Sequence, residues 1–336
     1  MHKFPYKWYL KDGYPDKNGF KVFGTFINGG GSSMGYKLAG FEHLGGVEID
    51  PQVADIYKTN HKPKYLYVDD IREFNKRDDL PEELYNLDIL DGSPPCSTFS
   101  MAGSRESAWG KEKVFREGQA KQTLDDLVFV YIETINKLKP KVAILENVKG
   151  MIAGNAKAYV KEANRRLNDY GYNVQIFLLN AASMGVPQKR ERVFFVCSKK
   201  ELNYPKLKLS FNEKAIPFRE VKSIGEKEGI NGQRAELWEK CKQGDNFSTI
   251  TPNKNFSSMR LSDVKVCNTI TANQCEGFFH STEKRSLVKD ELCKIGSYPM
   301  DYNFKTIRPM YLVGMSVPPV MIAQIANQIL IQWFKR

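Results

Sequence analysis

A cysteine behind two prolines is the first place in this sequence where the residue types point to chemistry. It stands in "LDILDGSPPCSTFS", residues 87–100. Proline fixes φ and removes a backbone donor, so Pro94 and Pro95 end the apolar run before them and hold Cys96 at its edge. A thiol held there can act as a nucleophile if positive charge or a helix N-terminus lowers its pKa. A structural cysteine packed under a loop has the same local pattern. Further along, "ENV" (Glu146, Asn147, Val148) closes another apolar run, and "VPQKRERVFFV" sets Gln188, Arg190 and Arg192 just ahead of a third. Near the N-terminus Gly29, Gly30 and Gly31 follow a first apolar run, and Glu48 lies at the end of a second. That pairing suits an adenosine ligand, since glycines let the backbone approach and the acid takes the ribose hydroxyls. A tight turn without a ligand reads the same way.

These residues need elements to position them. From about residue 20 to 200, short apolar runs alternate with longer amphipathic ones, which predicts βα units and a mostly parallel sheet. "KVFGTFI", "GGVEID", "NLDIL", "KVAILENV" and "ERVFFVC" read as strands, and "NGGGSSMGYKLAG" as a turn entering a helix. In "TLDDLVFVYIETINKLKP", Leu124, Leu127, Val128, Tyr131, Ile135 and Leu138 recur at helical spacing, with Thr123 as N-cap and Pro140 beyond the end. In open α/β sheets ligands sit beyond the carboxyl ends of the strands, where Cys96, Glu146 and the arginines would converge. Past residue 200 the texture turns to Lys, Asn, Ser and Gly, with "LSDVKVCNTITANQ" as the clearest strand. "PPVMIAQIANQILIQWF" is helical again, with Met321, Ile325, Ile329 and Trp333 on one stripe. The expected division is a domain of 1–200 and 305–336 and a second of 201–304.

Composition narrows the chemistry. The 336 residues fit one large α/β domain or a catalytic domain with a companion. Six scattered cysteines without a C-x-x-C argue against a disulfide scaffold or structural zinc, and four separated histidines against a metal centre, so no metal is expected. No apolar run approaches the length of a membrane span and no targeting segment stands out, so a soluble, cytoplasmic protein is expected. A net charge of +11 with pI near 9.2 suits a nucleic-acid partner.

Taken together, the motifs resemble those of the C5 cytosine-specific DNA methyltransferases of bacterial restriction-modification systems, over nearly the whole chain. That family's Pro-Pro-Cys motif matches Pro94 to Cys96, its Glu-Asn-Val motif Glu146 to Val148, and its Gln-x-Arg-x-Arg motif Gln188, Arg190 and Arg192. Its Phe-x-Gly-x-Gly-Gly motif aligns with Phe26, Asn28, Gly30 and Gly31, and its Gly-Asn-x-Val-Pro motif with "GMSVPP" from Gly314. Asn28 and Met315 depart from that pattern, standing where glycine and asparagine are usual. Asn is the side chain most tolerant of positive φ, so the turn can survive.

The resemblance implies a Rossmann-like α/β domain binding S-adenosylmethionine, with a smaller target-recognition domain. It implies Cys96, Glu146 and Arg190 as catalytic residues. Cofactor contacts would come from Phe26, Asn28, Gly29, Gly30, Glu48, Ile49, Asp70, Ile71, Pro94, Ser316 and Val317. DNA contacts would come from Ser97, Gln188, Arg192 and Thr271. Double-stranded DNA is the implied partner, a cognate restriction endonuclease a candidate one, and a monomer the expected state. The polar stretch after Cys96, with Gly103, Gly110 and Gly118, suits a loop that clamps DNA. Methylation of RNA, a catalytically silent DNA-binding protein and a nicotinamide oxidoreductase are the alternatives. The last leaves Pro-Pro-Cys and Gln-x-Arg-x-Arg without a use.

Overall fold

The computed structural model describes residues 2–95, 112–113, 122–123, 127–153, 157–223, 229–252, 254, 258–272 and 277–335. Cys96, Ser97 and nearly all of the glycine-bearing stretch after them lie outside the described residues. The chain forms two compact units. One gathers Pro15–Leu179, Glu191–Ser210 and Ile325–Arg336, the other Met1–Tyr14, Asn180–Arg190 and Phe211–Gln324.

The first unit is built on a seven-stranded sheet of β1 (Lys21–Thr25), β2 (Glu42–Glu48), β3 (Tyr65–Val68), β4 (Ile89–Gly92), β5 (Val142–Val148), β6 (Tyr172–Asn180) and β7 (Glu191–Lys199). Their order across the sheet is β3-β2-β1-β4-β5-β7-β6. The pairs β3–β2, β2–β1, β1–β4 and β4–β5 are parallel, and β7 runs antiparallel to β5. Central parallel strands are covered on both faces, which is why they read as continuous apolar runs. All four residues of β4 are buried, as are the first six of β5.

Helices α1 (Gly31–Leu38), α2 (Pro51–His61), α3 (Ile71–Lys76), α4 (Leu127–Leu138) and α5 (Lys157–Asp169) belong to this unit. One core joins Phe23, Leu90, Leu145, Val193 and Phe195 of the sheet to Phe74 of α3 and Tyr131, Ile132 and Ile135 of α4. The Tyr131 hydroxyl lies 2.9 Å from the Leu90 carbonyl and 2.8 Å from that of Ile144, which ties α4 to β4 and β5. A Cβ on Gly92 would lie 2.4 Å from the Tyr131 ring, so glycine is what lets the strand pass beneath it just before Pro94. Residues 124–126, which include the expected start of α4, lie outside the described residues.

The second unit carries α6 (Gly232–Lys240), α7 (Lys289–Gly296) and α8 (Pro309–Met315), with short two-residue strands. It takes in more chain than the 201–304 stretch set apart by composition. Trp8 donates its indole N–H to the Ser297 carbonyl, and the backbone N–H groups of Leu10 and Lys11 donate to the Asp301 carboxylate, which ties down the N-terminal segment. Among the described residues of "LSDVKVCNTITANQ", only Cys267–Asn268 forms a strand, paired in parallel with Gln188–Lys189. Its front half is a turn closed by the Lys265 N–H on the Ser262 carbonyl, with Asp263 held by Lys222 and Ser281.

The C-terminal stretch is α9 (Pro319–Ile329) followed by a π-helical turn, Leu330–Phe334. Met321, Ile325, Ile329 and Trp333 are all buried, but so are Val320, Ile322, Ala323 and Ala326 between them. The expected stripe is thus buried within a wider apolar face, while Asn327 and Gln328 are half-buried and Ile331 is exposed on the other side. Contrary to the sequence expectation, Pro309–Phe334 is long and apolar enough to cross a membrane by length and composition. Some 83% of its most apolar window is buried inside the protein, as in the core helix of a globular fold. The four described cysteines, Cys197, Cys241, Cys267 and Cys293, are buried and unbridged.

Candidate active site

At the carboxyl edge of the sheet the chain leaves β1 through a turn that visits the left-handed region three times: Phe26 at φ 54°, Asn28 at φ 47° and Gly30 at φ 80°. Asparagine at the second of these fits its tolerance of positive φ; a phenylalanine there is uncommon and strained. Gly30 is required on two counts. Its φ favours glycine, and a Cβ would lie 2.2 Å from His61 Nε2 and 2.9 Å from the Tyr57 ring.

Glu48, buried at the end of β2, anchors this turn. One carboxylate oxygen accepts the Asn28 N–H at 2.8 Å and the other accepts the Asp50 N–H at 2.9 Å. Burial pushes its pKa up to about 7 against the opposing pull of those N–H groups. Asp70 caps α3 by accepting the Arg72 N–H at 2.8 Å and pairs with the Arg72 guanidinium at 3.1 Å, while Ile71 after it enters the core. Ile49, between Glu48 and Asp50, is half-buried.

At β4 and β5 the two motifs meet. The Asn147 side-chain amide donates to the Pro94 carbonyl at 3.3 Å, and its own oxygen accepts the Val148 N–H at 2.8 Å. Asn147 thus fixes the backbone two residues before Cys96. Glu146, beside it on β5, is buried, and the Arg192 Nε donates to its Oε1 at 2.9 Å. The antiparallel register explains the pair: Glu146 lies opposite Phe194 and Val148 opposite Arg192, so Arg192 and Glu146 are diagonal neighbours on one face. Asp91 of β4, also buried, interacts electrostatically with Glu146 and accepts the Tyr36 O–H at 2.9 Å. Burial pushes the Asp91 carboxyl up to about 7.

The arginine that meets Glu146 is therefore Arg192, which the sequence motif had placed among the DNA contacts. Arg190, expected in the catalytic role, is buried in the second unit with its guanidinium on two carbonyls, Ile270 and Gly314, each at 3.0 Å. Gln188 is fully buried beside it, accepting the Ile270 N–H at 3.2 Å and donating to the Ile295 carbonyl at 3.3 Å. Thr271 follows that clamped backbone and is half-buried; a Cβ on Gly314 would lie 2.6 Å from it. Ser316 is buried with its hydroxyl 2.5 Å from the Tyr298 hydroxyl, Val317 is buried after it, and Met315 is exposed. Sequence reasoning missed Asp91, Asn147 as a clamp, and His61; only their burial and partners mark them. Among the described residues no cluster of three His, Cys, Asp or Glu side chains is placed to hold a metal ion.

The strand order and the parallel strands ending at one rim define a Rossmann-like α/β fold, whose ligand crevice lies beyond the carboxyl ends of the strands. A DNMT2 variant of Spodoptera frugiperda shares the fold at a TM-score of 0.67 with 17% identity, covering 93% of this chain and 99% of that one. The chain belongs to the C-5 cytosine-specific DNA methylase family, whose model matches residues 20–331. The Type II methyltransferase M.FnuDI of Fusobacterium nucleatum is 38% identical over 183 residues, 54% of this chain and 48% of that protein. The chain thus spans about half the length of that relative. The Type II methyltransferase M.Bsp6I of Bacillus sp. (strain RFL6) is 28% identical over 330 residues, 92% of this chain and 98% of that protein.

Proposed function

We propose that this protein transfers a methyl group from S-adenosylmethionine to carbon 5 of cytosine in a specific short site of double-stranded DNA. The observation that carries the reading is the buried Glu146–Arg192 pair, set beside a Pro94 carbonyl that Asn147 holds, in a chain of this family. Carbon 5 of cytosine is a poor nucleophile until the ring is enriched in electrons. In the proposed reaction the Cys96 thiolate adds to carbon 6 while Glu146 delivers a proton to N3, leaving an enamine. Carbon 5 of the enamine would take the methyl group that bound S-adenosylmethionine supplies, with S-adenosylhomocysteine as the leaving group. A base then removes the carbon 5 proton, the thiolate departs and N3 returns its proton to Glu146, restoring the ring and the free cysteine. Arg192 occupies Glu146 Oε1 and fixes the carboxyl group in the orientation the base requires, which leaves Oε2 as the atom to meet it. The target base has to leave the helix stack, at a cost of a few kcal/mol, to reach such a pocket.

The donor set suits the cofactor. Glu48 presents two oxygens at a strand end, one on the Asn28 N–H and the other on the Asp50 N–H, where a carboxylate suits a ribose hydroxyl. Asp70 would meet the adenine, with Phe26, Asn28, Gly29, Gly30, Ile49, Ile71 and Pro94 shaping the pocket; Ser316 and Val317 are proposed as cofactor contacts on the family motif alone. Bound there, S-adenosylmethionine supplies an electrophilic methyl group. The 201–304 stretch is proposed as the target-recognition domain, with Thr271 and Ser97 toward DNA; Gln188, expected as a DNA contact, is instead buried on the Ile270 N–H and the Ile295 carbonyl and supports the backbone before Thr271. A cytoplasmic monomer working alongside a cognate restriction endonuclease completes the proposal. The test is Glu146→Gln, expected to lose most methyl transfer while binding DNA as the wild type does; equal turnover would refute the assignment.

A further inference from the structure

Behind the turn that follows β1 lies a set of buried polar side chains that the reaction does not use. His61, the last residue of α2, places Nε2 3.3 Å from the Gly29 carbonyl oxygen, and Lys37 of α1 places Nζ 3.5 Å from His61 Nδ1 and 3.3 Å from the His61 carbonyl. The ring stacks on Tyr57 at 4.3 Å between centroids and 14° between planes. Tyr57 in turn reaches Ser33 at 3.1 Å and His43 at 3.4 Å. A carbonyl only accepts, so Nε2 must carry the hydrogen; Nδ1 is then the acceptor, and the lysine is its donor. Burial, with Lys37 and His43 nearby, holds the His61 imidazole well below its ordinary pKa and keeps the ring neutral.

The turn is therefore gripped from two sides. Glu48 takes the Asn28 N–H at 2.8 Å, and His61 takes the next residue's carbonyl at 3.3 Å. Gly30 presses against the same imidazole so closely that a Cβ would lie 2.2 Å from Nε2. We propose that His61, oriented by Lys37, is a positioning residue for the cofactor site: its Nε2–H fixes the Gly29–Gly30 peptide and so sets the approach of the turn to S-adenosylmethionine. This rests on the cofactor reading above. It assigns a use to a histidine that has no place in the methyl-transfer steps.

Two variants separate positioning from packing. His61→Phe keeps a ring to stack on Tyr57 but removes the donor, whereas His61→Gln supplies an amide N–H at about the reach of Nε2. Binding of S-adenosylmethionine to the full chain is measured by calorimetry, with KM for the cofactor, KM for DNA and kcat measured alongside. The proposal expects His61→Phe to weaken cofactor binding about three- to tenfold, the size of one lost neutral hydrogen bond, and to raise the cofactor KM in step. DNA KM and saturated kcat stay within twofold, and His61→Gln recovers most of the loss. Unchanged binding in His61→Phe would overturn the proposal, as would an equal loss in both variants. Failure of the wild-type chain to bind S-adenosylmethionine would remove the cofactor reading itself, and this inference with it.

Discussion

Asp91 is a carboxyl group buried at the end of β4, 4% exposed, with the Tyr36 O–H on one oxygen and the charge of Glu146 on the same face. Burial raises its pKa from 3.8 to about 7 in the folded protein. The folded state therefore binds more protons than the unfolded chain between these values, and stability falls as pH rises through that window. Relative to a neutral side chain, the shift to about 7 costs about 4 kcal/mol at pH 8, of which about 3 kcal/mol accrues between pH 5 and pH 8. Asp91→Asn keeps an acceptor for Tyr36 and removes the ionisation. Urea unfolding of both proteins across pH 5 to 8 checks this. The wild type should lose stability across the range, and Asp91→Asn should lose less of it, ending as the more stable protein at pH 8. Some slope remains in the variant, because Glu48 is raised to about 7 with the same sign. Parallel pH dependences for the two proteins would refute the reasoning.

Replacing Arg192 by methionine leaves Glu146 buried without its partner; breaking such a pair costs about 3–5 kcal/mol, and the denaturant midpoint should fall accordingly with methyl transfer abolished. Retention of both would show that Arg192 does not hold Glu146. Gly30→Ala puts a Cβ within 2.2 Å of His61 Nε2 at a φ of 80°. It should cost about 1–2 kcal/mol from the left-handed backbone alone and weaken cofactor binding further, readable by thermal melts with and without S-adenosylmethionine.

Much of the sheet was legible because parallel strands buried on both faces are unbroken apolar runs, as in "NLDIL" and "KVAILENV". The acids at their ends were legible for the same reason: Glu48 and Glu146 interrupt apolar runs. What the sequence hides is what depends on register and on contacts distant in the chain. Arg190 and Arg192 are two residues apart and chemically identical, and only the pairing of Phe194 with Glu146 brings the second to the acid. "LSDVKVCNTITANQ" has strand composition, yet Asp263 draws it into a turn through Lys222 and Ser281, neither near it in sequence. The left-handed Phe26 has no marker at all, since phenylalanine disfavours that region. His61 reads as an ordinary helix-ending residue until α2 folds it against Gly29.

The proposed methylation of cytosine in DNA depends on Cys96 as the nucleophile. Purified protein and a Cys96→Ala control are incubated with unmethylated mixed-sequence DNA and S-adenosylmethionine, and 5-methylcytosine is then mapped at single-base resolution. The account predicts methyl groups at one recurring short sequence with the wild type and none with Cys96→Ala. Methylation that survives loss of Cys96, or none on DNA while transfer RNA is methylated, would contradict it.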